Sequence, residues 1–384
     1  MCKKITASLF VFAFLCLGLL ADDEFVKVRV EKTDSGQLEF IASNSSLIPS
    51  RVLVEFPQLV NLDSNTELPF EATLPPGQND IHLFSLTPRA GKSYRYSYSY
   101  RYFYGDPSTA YHDDDYAYLL PFNHGTKFQL TQGYDGQFTH MDIYALDFTM
   151  DVGTPITAAR TGLVVTVKED SNRGGPDISF KDDGNYVWVY HDDGTFGNYV
   201  HFRQDGVVVD VGDAVMAGQL IGYSGNTGYS SGPHVHFDVT LPVYEGDRQT
   251  VPTKFLNYDG SLIDLGVGQF YYSTHPGRPA YEVVLGTNIT DNDYEQYRQP
   301  VSNGSVEVHA DRIDNTVLVF ASNGTGKKQK IKVEFVLHNM RASKPLPYTQ
   351  IVAAQTEIFL FLLRRVDLIE PWRYQYKYYY QPLD

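Results

Sequence analysis

The chain has 384 residues, and its formal net charge of −15 excludes nucleic acid and anionic membrane surfaces as electrostatic partners. Its 2 cysteines, Cys2 and Cys16, both fall in the first 21 residues. The rest can form no disulfide, and a metal site there must draw on His and carboxylates. With 29 Tyr, 23 Phe, 31 Gly and 20 Pro and no long helical period, the composition predicts a mainly β fold with room for two or three domains.

Residues 1–21 read as a secretory signal peptide. Lys3 and Lys4 precede the apolar run Ile5 to Leu20, and Ala21 stands before Asp22, Asp23 and Glu24. The apolar run is short for a membrane span, so no stable membrane insertion is expected once it is removed. Export to a bacterial periplasm or exterior suits a cysteine-free mature chain.

Residues 22–106 predict an N-terminal β domain. Val26 to Val30 and Leu38 to Phe40 alternate, and Val52 to Phe56 is a more apolar run. Tyr94, Tyr96, Tyr98, Tyr100, Tyr102 and Tyr104 then form one wholly tyrosine strand face. A sandwich core is the expected use of that face, with a sugar-stacking platform as the rival. Residues 107–118 form an acidic linker carrying His112 and Asp113 to Asp115. Placed just before the next domain, it is expected to be able to lie, with the N-terminal domain, over that domain's cleft and hold it closed.

Residues 119–262 predict a central β domain. Its runs are Gly162 to Val167, Tyr186 to Tyr190, Val207 to Val211 and Gln219 to Tyr223. Asp182-Asp183-Gly184 and Asp192-Asp193-Gly194 have hairpin-turn composition. Ser171 to Asp183 reads as a polar insertion. Residues 263–300 read as a connector, and residues 301–384 repeat the N-terminal domain. Ala42-Ser43-Asn44 recurs as Ala321-Ser322-Asn323, and Val54-Glu55-Phe56 as Val333-Glu334-Phe335, both offset by 279. Tyr94-Arg95-Tyr96 recurs as Trp372-Arg373-Tyr374 at an offset of 278.

The chemistry lies in the central domain. His140 is followed by Asp147, His201 ends the run Asn198-Tyr199-Val200, and His234-Val235-His236 opens a strand-like segment. Strand residues two apart share a face, so His234 and His236 project together. A catalytic zinc takes three protein ligands and leaves one position open. His140, Asp147 and one of the pair His234/His236 supply that set, and the remaining His with His201 faces the open position.

The segment QGYDGQFTH…YALDF…YVWVYHDDGTFGNYVHF…SGPHVHFDV resembles the lysostaphin/LytM-type zinc endopeptidases, over roughly residues 121–255. The resemblance implies a central antiparallel β catalytic domain of LytM type flanked by two similar small β-sandwich-like domains. It implies one Zn2+ per chain held by His140, Asp147 and His236. His234 and His201 are the implied catalytic histidines, and Tyr134 the implied cleft tyrosine that helps hold an oxyanion. The implied reaction is hydrolysis of peptide cross-links in peptidoglycan. The longer His140-to-Asp147 spacing and the negative charge point to a Gram-negative periplasmic enzyme acting on direct cross-links. Phe202 stands where Leu is usual, and Asp238 where Glu is common, which opens the question of any supporting role for that carboxylate. The alternative is a non-enzymatic LytM-like protein that binds cell wall or activates an amidase. A lipoyl- or biotin-carrier domain is excluded by the absence of a hairpin-tip Lys. His82, His124, His191, His275, His309 and His338 stand apart from the motifs and are read as structural.

Overall fold

The computed structural model describes residues 5–7, 25–137, 139–244 and 248–383. The expected signal peptide lies outside the described residues except for Ile5–Ala7, which pairs antiparallel with Tyr98 to Tyr100. The protein is mainly β and its sheets are mostly antiparallel. It folds as two compact units, and compaction does not follow chain order. The first takes the described residues up to Asn123, with Gly133–Leu256 and Leu262–Asp264; the second takes His124–Gln132, Asn257–Ser261 and the chain from Leu265 onward.

The N-terminal domain is a sandwich. Val26–Lys32, Leu38–Asn44, Gln78–Pro88 and Leu62–Ser64 form one sheet, while Arg95–Tyr104, Ser50–Val60 and Phe70–Leu74 belong to the other. The alternating apolar faces of both close on Val26, Phe40, Val52, Val54, Phe84 and Leu86. Tyr98, Tyr100 and Tyr102 belong to that core, so the tyrosine face is packing, and the Tyr98 hydroxyl donates to the Val28 carbonyl at 3.3 Å. Buried Asn44 gives its amide to the carbonyls of Ile48, Leu74 and Pro75, each at 3.1 Å.

The central sheet runs Ala214–Val215, Gly162–Lys168, Tyr186–Tyr190, Phe196–Val200, His234–Pro242, Ala145–Thr149, with Arg248–Val251 paired to the far end of His234–Pro242. One face carries Val187, Val189, Tyr199, Val235, Phe237, Val239, Leu146 and Phe148, all buried. The other carries His236, Asp238 and Thr240 opposite Val200, Asn198 and Phe196. Asp192-Asp193-Gly194 is a hairpin turn as expected, but Asp182-Asp183-Gly184 ends a 3-10 helix, Ile178–Asp183. That helix exists because Asp177 caps it, its carboxylate accepting from the Ser179 amide at 2.9 Å. Of the run Val207 to Val211, only Val207 is in a strand, Phe202–Val207.

The N-terminal domain packs on the histidine-bearing face. Ile48 and Tyr104 meet Val165, Phe196, Leu163 and Trp188 there. The Tyr104 hydroxyl donates to the Val165 carbonyl at 3.0 Å.

The linker sits elsewhere than over the cleft. The Tyr111 amide donates to the Asp193 carbonyl at 3.0 Å, and Ala110 fills the space beside Gly194, where a Cβ would come within 2.7 Å of it. His112 pairs with Asp114 at 3.0 Å and stacks on Tyr118, which packs against Phe237 on the opposite face from His236. The hairpin turn lies beyond Phe196, itself four strand residues and so ~13 Å from the His236 row. The expectation that the linker covers the cleft is corrected on that ground: Arg160, paired with Asp192 and Asp193 at the turn, lies 3.9 Å over the Tyr116 ring of the linker, and Lys254 pairs with Asp115.

In the second unit Lys127–Gln132 pairs with Phe270–Tyr272, inside the stretch read as a connector. The C-terminal domain repeats the sandwich. Arg298–Pro300, Thr356–Arg365, Thr316–Asn323 and Val306–Ile313 form one sheet, and Tyr348–Val352, Gln329–His338 and Arg373–Pro382 the other. Asn323 repeats Asn44, its amide donating to the carbonyls of Lys327, Val352 and Ala353 at 2.9, 3.1 and 2.8 Å. Tyr376 repeats Tyr98, donating to the Val308 carbonyl at 2.9 Å.

Candidate active site

Two neighbouring strands carry the core of the site. Ala145–Thr149 pairs with His234–Pro242 so that Asp147 lies directly opposite His236. Both face away from the apolar core, because Leu146 and Phe148 on one strand and Val235 and Phe237 on the other fill it. His140 reaches them from a turn. The Ile143 amide donates to the His140 carbonyl at 3.2 Å, and Asp142 takes a left-handed φ of 59°. That turn uses the extra residues between His140 and Asp147.

Three side-chain atoms converge. His140 Nε2 is 3.3 Å from Asp147 Oδ1 and 3.3 Å from His236 Nδ1, which is itself 3.0 Å from Asp147 Oδ1. Ligands on a tetrahedral ion bound at about 2.0–2.2 Å stand ~3.3 Å apart, so the trio fits one zinc without rearrangement. The tautomers are set by carbonyls, which only accept. His140 Nδ1–H donates to the Gly133 carbonyl at 3.0 Å, leaving Nε2 as the ligand atom. His236 works the other way round. Its Nε2–H donates to Asp238 Oδ2 at 3.0 Å, leaving Nδ1 toward the trio. Asp238 therefore supports the site despite being shorter than Glu.

Two further imidazoles border the trio. His234 Nε2 lies 3.6 Å from Asp147 Oδ1, while its Nδ1–H donates to the Gly232 carbonyl at 2.8 Å, with Ser230 Oγ at 3.3 Å. His201 donates Nδ1–H to the Thr227 carbonyl at 2.6 Å, and its ring centroid is 4.4 Å from that of His234. Both therefore keep Nε2 unprotonated. His201 has a left-handed φ of 73°, uncommon for a residue with a Cβ. Its amide is held by the Asn185 carbonyl at 2.8 Å, so the strained backbone is fixed from both sides.

Burial would raise the Asp147 pKa, but in the metal-free chain His140 and His236 can carry a proton toward it, and these hydrogen bonds hold it far below the usual carboxylate range. Burial would lower His236, but its bonds to Asp147 and Asp238 raise it. His201 is pushed down to about 3, first by burial and then by His234 and His236. His234 is also lowered, chiefly by burial, with Asp147 opposing. Both bordering rings are thus neutral at neutral pH.

The structure brings His140, Asp147, His201, His234 and His236 together. Tyr134 is engaged differently. Its hydroxyl lies 2.7 Å from the Thr253 hydroxyl, donates to the Thr253 carbonyl at 3.1 Å and accepts from the Thr253 amide at 2.8 Å, and its ring meets Tyr144. Sequence reasoning missed Gly133, Thr227 and Gly232, whose carbonyls orient the rings. Their signal was only loop composition, since any residue supplies a carbonyl. His191 is buried at the hairpin turn, with Nδ1 on Thr195 Oγ1 at 2.8 Å.

Residues 142–250 match the model for Peptidase family M23, a span that begins just after His140. Lysostaphin of Staphylococcus staphylolyticus is 37% identical over 118 residues, covering 30% of this chain and 22% of the relative. Peptidoglycan DD-endopeptidase ShyA of Vibrio cholerae serotype O1 is 34% identical over 95 residues, covering 25% of this chain and 19% of the relative. The solved catalytic domain of lysostaphin from Staphylococcus simulans is 34% identical, covers 33% of this chain and 87% of that one, and superposes with a TM-score of 0.25. The chain thus spans about a fifth of the length of these two curated relatives. Within the central domain, residues 142–250 thus match Peptidase family M23, and this part of the chain is similar to lysostaphin.

Proposed function

We propose that the chain is an exported zinc endopeptidase that hydrolyses peptide cross-links of bacterial peptidoglycan. The observation that carries this reading is the convergence of His140 Nε2, Asp147 Oδ1 and His236 Nδ1 beside two neutral imidazoles. Export rests on the N-terminal sequence, and the substrate on the similarity to lysostaphin and ShyA. ShyA is by name a DD-endopeptidase, and the His140-to-Asp147 spacing suits the same direct cross-links.

Zinc, when bound, brings the pKa of a water near 7 and polarises a carbonyl. His140, Asp147 and His236 are the residues that hold it. His234 and His201 do the proton work. Each spends its Nδ1–H on a main-chain carbonyl, so each presents Nε2 as an acceptor. One takes the proton of the attacking water and passes it to the departing amine nitrogen as the peptide bond breaks. The other, with its Nε2 also free to accept, holds the second hydrogen of that water and orients it for attack. Tyr134 is left out of the proton path, because its hydroxyl is committed to Thr253.

The test is digestion of purified sacculi by the mature protein, with mass analysis of what is released. Cross-linked dimers are expected to disappear. Chelator is expected to block this, and His234→Ala to slow it by about 10²–10⁴-fold. Digestion that survives both treatments would overturn the reading.

A further inference from the structure

Beyond the ligands, a continuous polar chain runs along the histidine-bearing face. His236 Nε2–H donates to Asp238 Oδ2 at 3.0 Å. The other Asp238 oxygen accepts from Asn198 Nδ2, which also reaches Thr240 Oγ1 at 3.2 Å. Asn198 Oδ1 in turn accepts from Arg248 Nη1 at 3.0 Å. The Arg248 guanidinium lies 3.7 Å over the Trp188 ring and 5.2 Å from that of Phe196.

Each link has the polarity the next requires. An arginine can only donate and a carboxylate can only accept, so a group that stands between them in series must do both. Asn198, 4% exposed, is that group. Strand pairing sets it there, with Asn198 opposite Asp238 and Phe196 opposite Thr240. In such a series each bond polarises its neighbour. Arg248 comes from Arg248–Val251 and is fixed by stacking, so its end of the chain does not wander.

We infer that Arg248 and Asn198 are positioning residues for His236, acting through Asp238 to hold its ring plane and keep its Nδ1 lone pair directed at the metal site. Neither touches the three converging atoms. The far end of the chain rests on Phe196 and Trp188, where Ile48 and Tyr104 of the N-terminal domain dock, so docking and metal affinity share one support. The inference rests on the reading of His236 as a zinc ligand.

The test is zinc affinity of the full mature chain, measured by competition with a chromogenic chelator. Thermal melts of each metal-free variant report folding. Asp238→Asn keeps the shape and removes the charge, and is expected to weaken zinc binding roughly 10- to 100-fold. Asn198→Ala is expected to lose about tenfold, and Arg248→Met a smaller factor in the same direction. The double variant Asn198→Ala/Arg248→Met is expected to be no weaker than Asn198→Ala alone, because Arg248 acts through Asn198. Losses that multiply, or folded variants with unchanged affinity, overturn the inference. Asn198→Ala, with Asp238→Asn beside it, still decides it should the Arg248 variant fail to fold. A wild-type chain that binds no zinc would instead overturn the proposed function, so the two failures are distinguishable.

Discussion

His201 and His191 show what single residues do here. His191 follows Tyr186–Tyr190 at the hairpin turn and His201 follows the partner strand Phe196–Val200 at the hairpin's other end, and burial drives both pKa values down to about 3. For His191 the neighbouring Arg160 adds to burial, while Asp193 and Asp192 oppose it and His112 adds slightly. The sign of the linkage follows. The folded chain takes up this proton only near pH 3, the unfolded chain already near pH 6.5. The stabilisation is therefore complete above pH 6.5 and is lost as pH falls toward 3, a change on the order of a few kcal/mol. His191→Asn is expected to flatten the acid side of a plot of Tm against pH for the metal-free chain. Parallel curves for variant and wild type would rule out this contribution. His191 was legible as structural because it stands outside the motifs. Its burial was not, since that depends on Gly197 leaving room, a Cβ there lying 3.2 Å from His191 Nε2.

Among elements, the loop ahead of His234–Pro242 does most to set the site. It supplies the Thr227 carbonyl to His201 and the Gly232 carbonyl to His234. Gly228–Tyr229 anchors it by pairing in parallel with Gly174–Gly175, part of the stretch read as a polar insertion. Gly228 has a φ of 79°, and a Cβ there would sit 2.6 Å from the Gly184 Cα. Gly228→Ala is expected to displace the Thr227 carbonyl and lower kcat by up to about 10²-fold while leaving the ligand trio intact. Peptide-release kinetics together with zinc stoichiometry check this. Full activity would mean the loop tolerates the shift. The His-x-His pair was legible because alternation is a local property of a strand. The insertion's role was not, because its partner lies some fifty residues away and two glycines in a row carry no pairing signal.

At the scale of the first compact unit, the N-terminal domain is a structural partner of the catalytic sheet. Phe196 is fully buried, in a cluster with Ile48, Val165 and Tyr104. Ile48→Ala removes a side chain at 1% exposure and is expected to cost about 2–4 kcal/mol. A denaturant titration followed at Trp188, whose ring packs in the same cluster, reports that loss. An unchanged midpoint would show that the contact contributes nothing. The flanking sandwiches were legible as a repeat because Asn44 and Asn323 serve one purpose. Each gives its amide to one carbonyl four residues on and to two at the end of another strand, so the position needs two amide hydrogens and a small side chain.

By itself the sequence determined the β class, the repeat and the five residues of the site. Those follow from side-chain chemistry and from the two-residue period of a strand, both local properties. Only the tertiary structure decided which nitrogen of each histidine faces the site, because the partner of the other nitrogen makes that choice: the Thr227 carbonyl for His201, the Gly133 carbonyl for His140, the Gly232 carbonyl for His234 and the Asp238 carboxylate for His236. It alone brought Arg248 to Asn198 and Asp238, fifty residues away and ten residues apart in sequence. It also placed the acidic linker at the hairpin turn, where the Tyr111 amide meets the Asp193 carbonyl. Such pairings depend on which surfaces bury one another, and no local pattern records that.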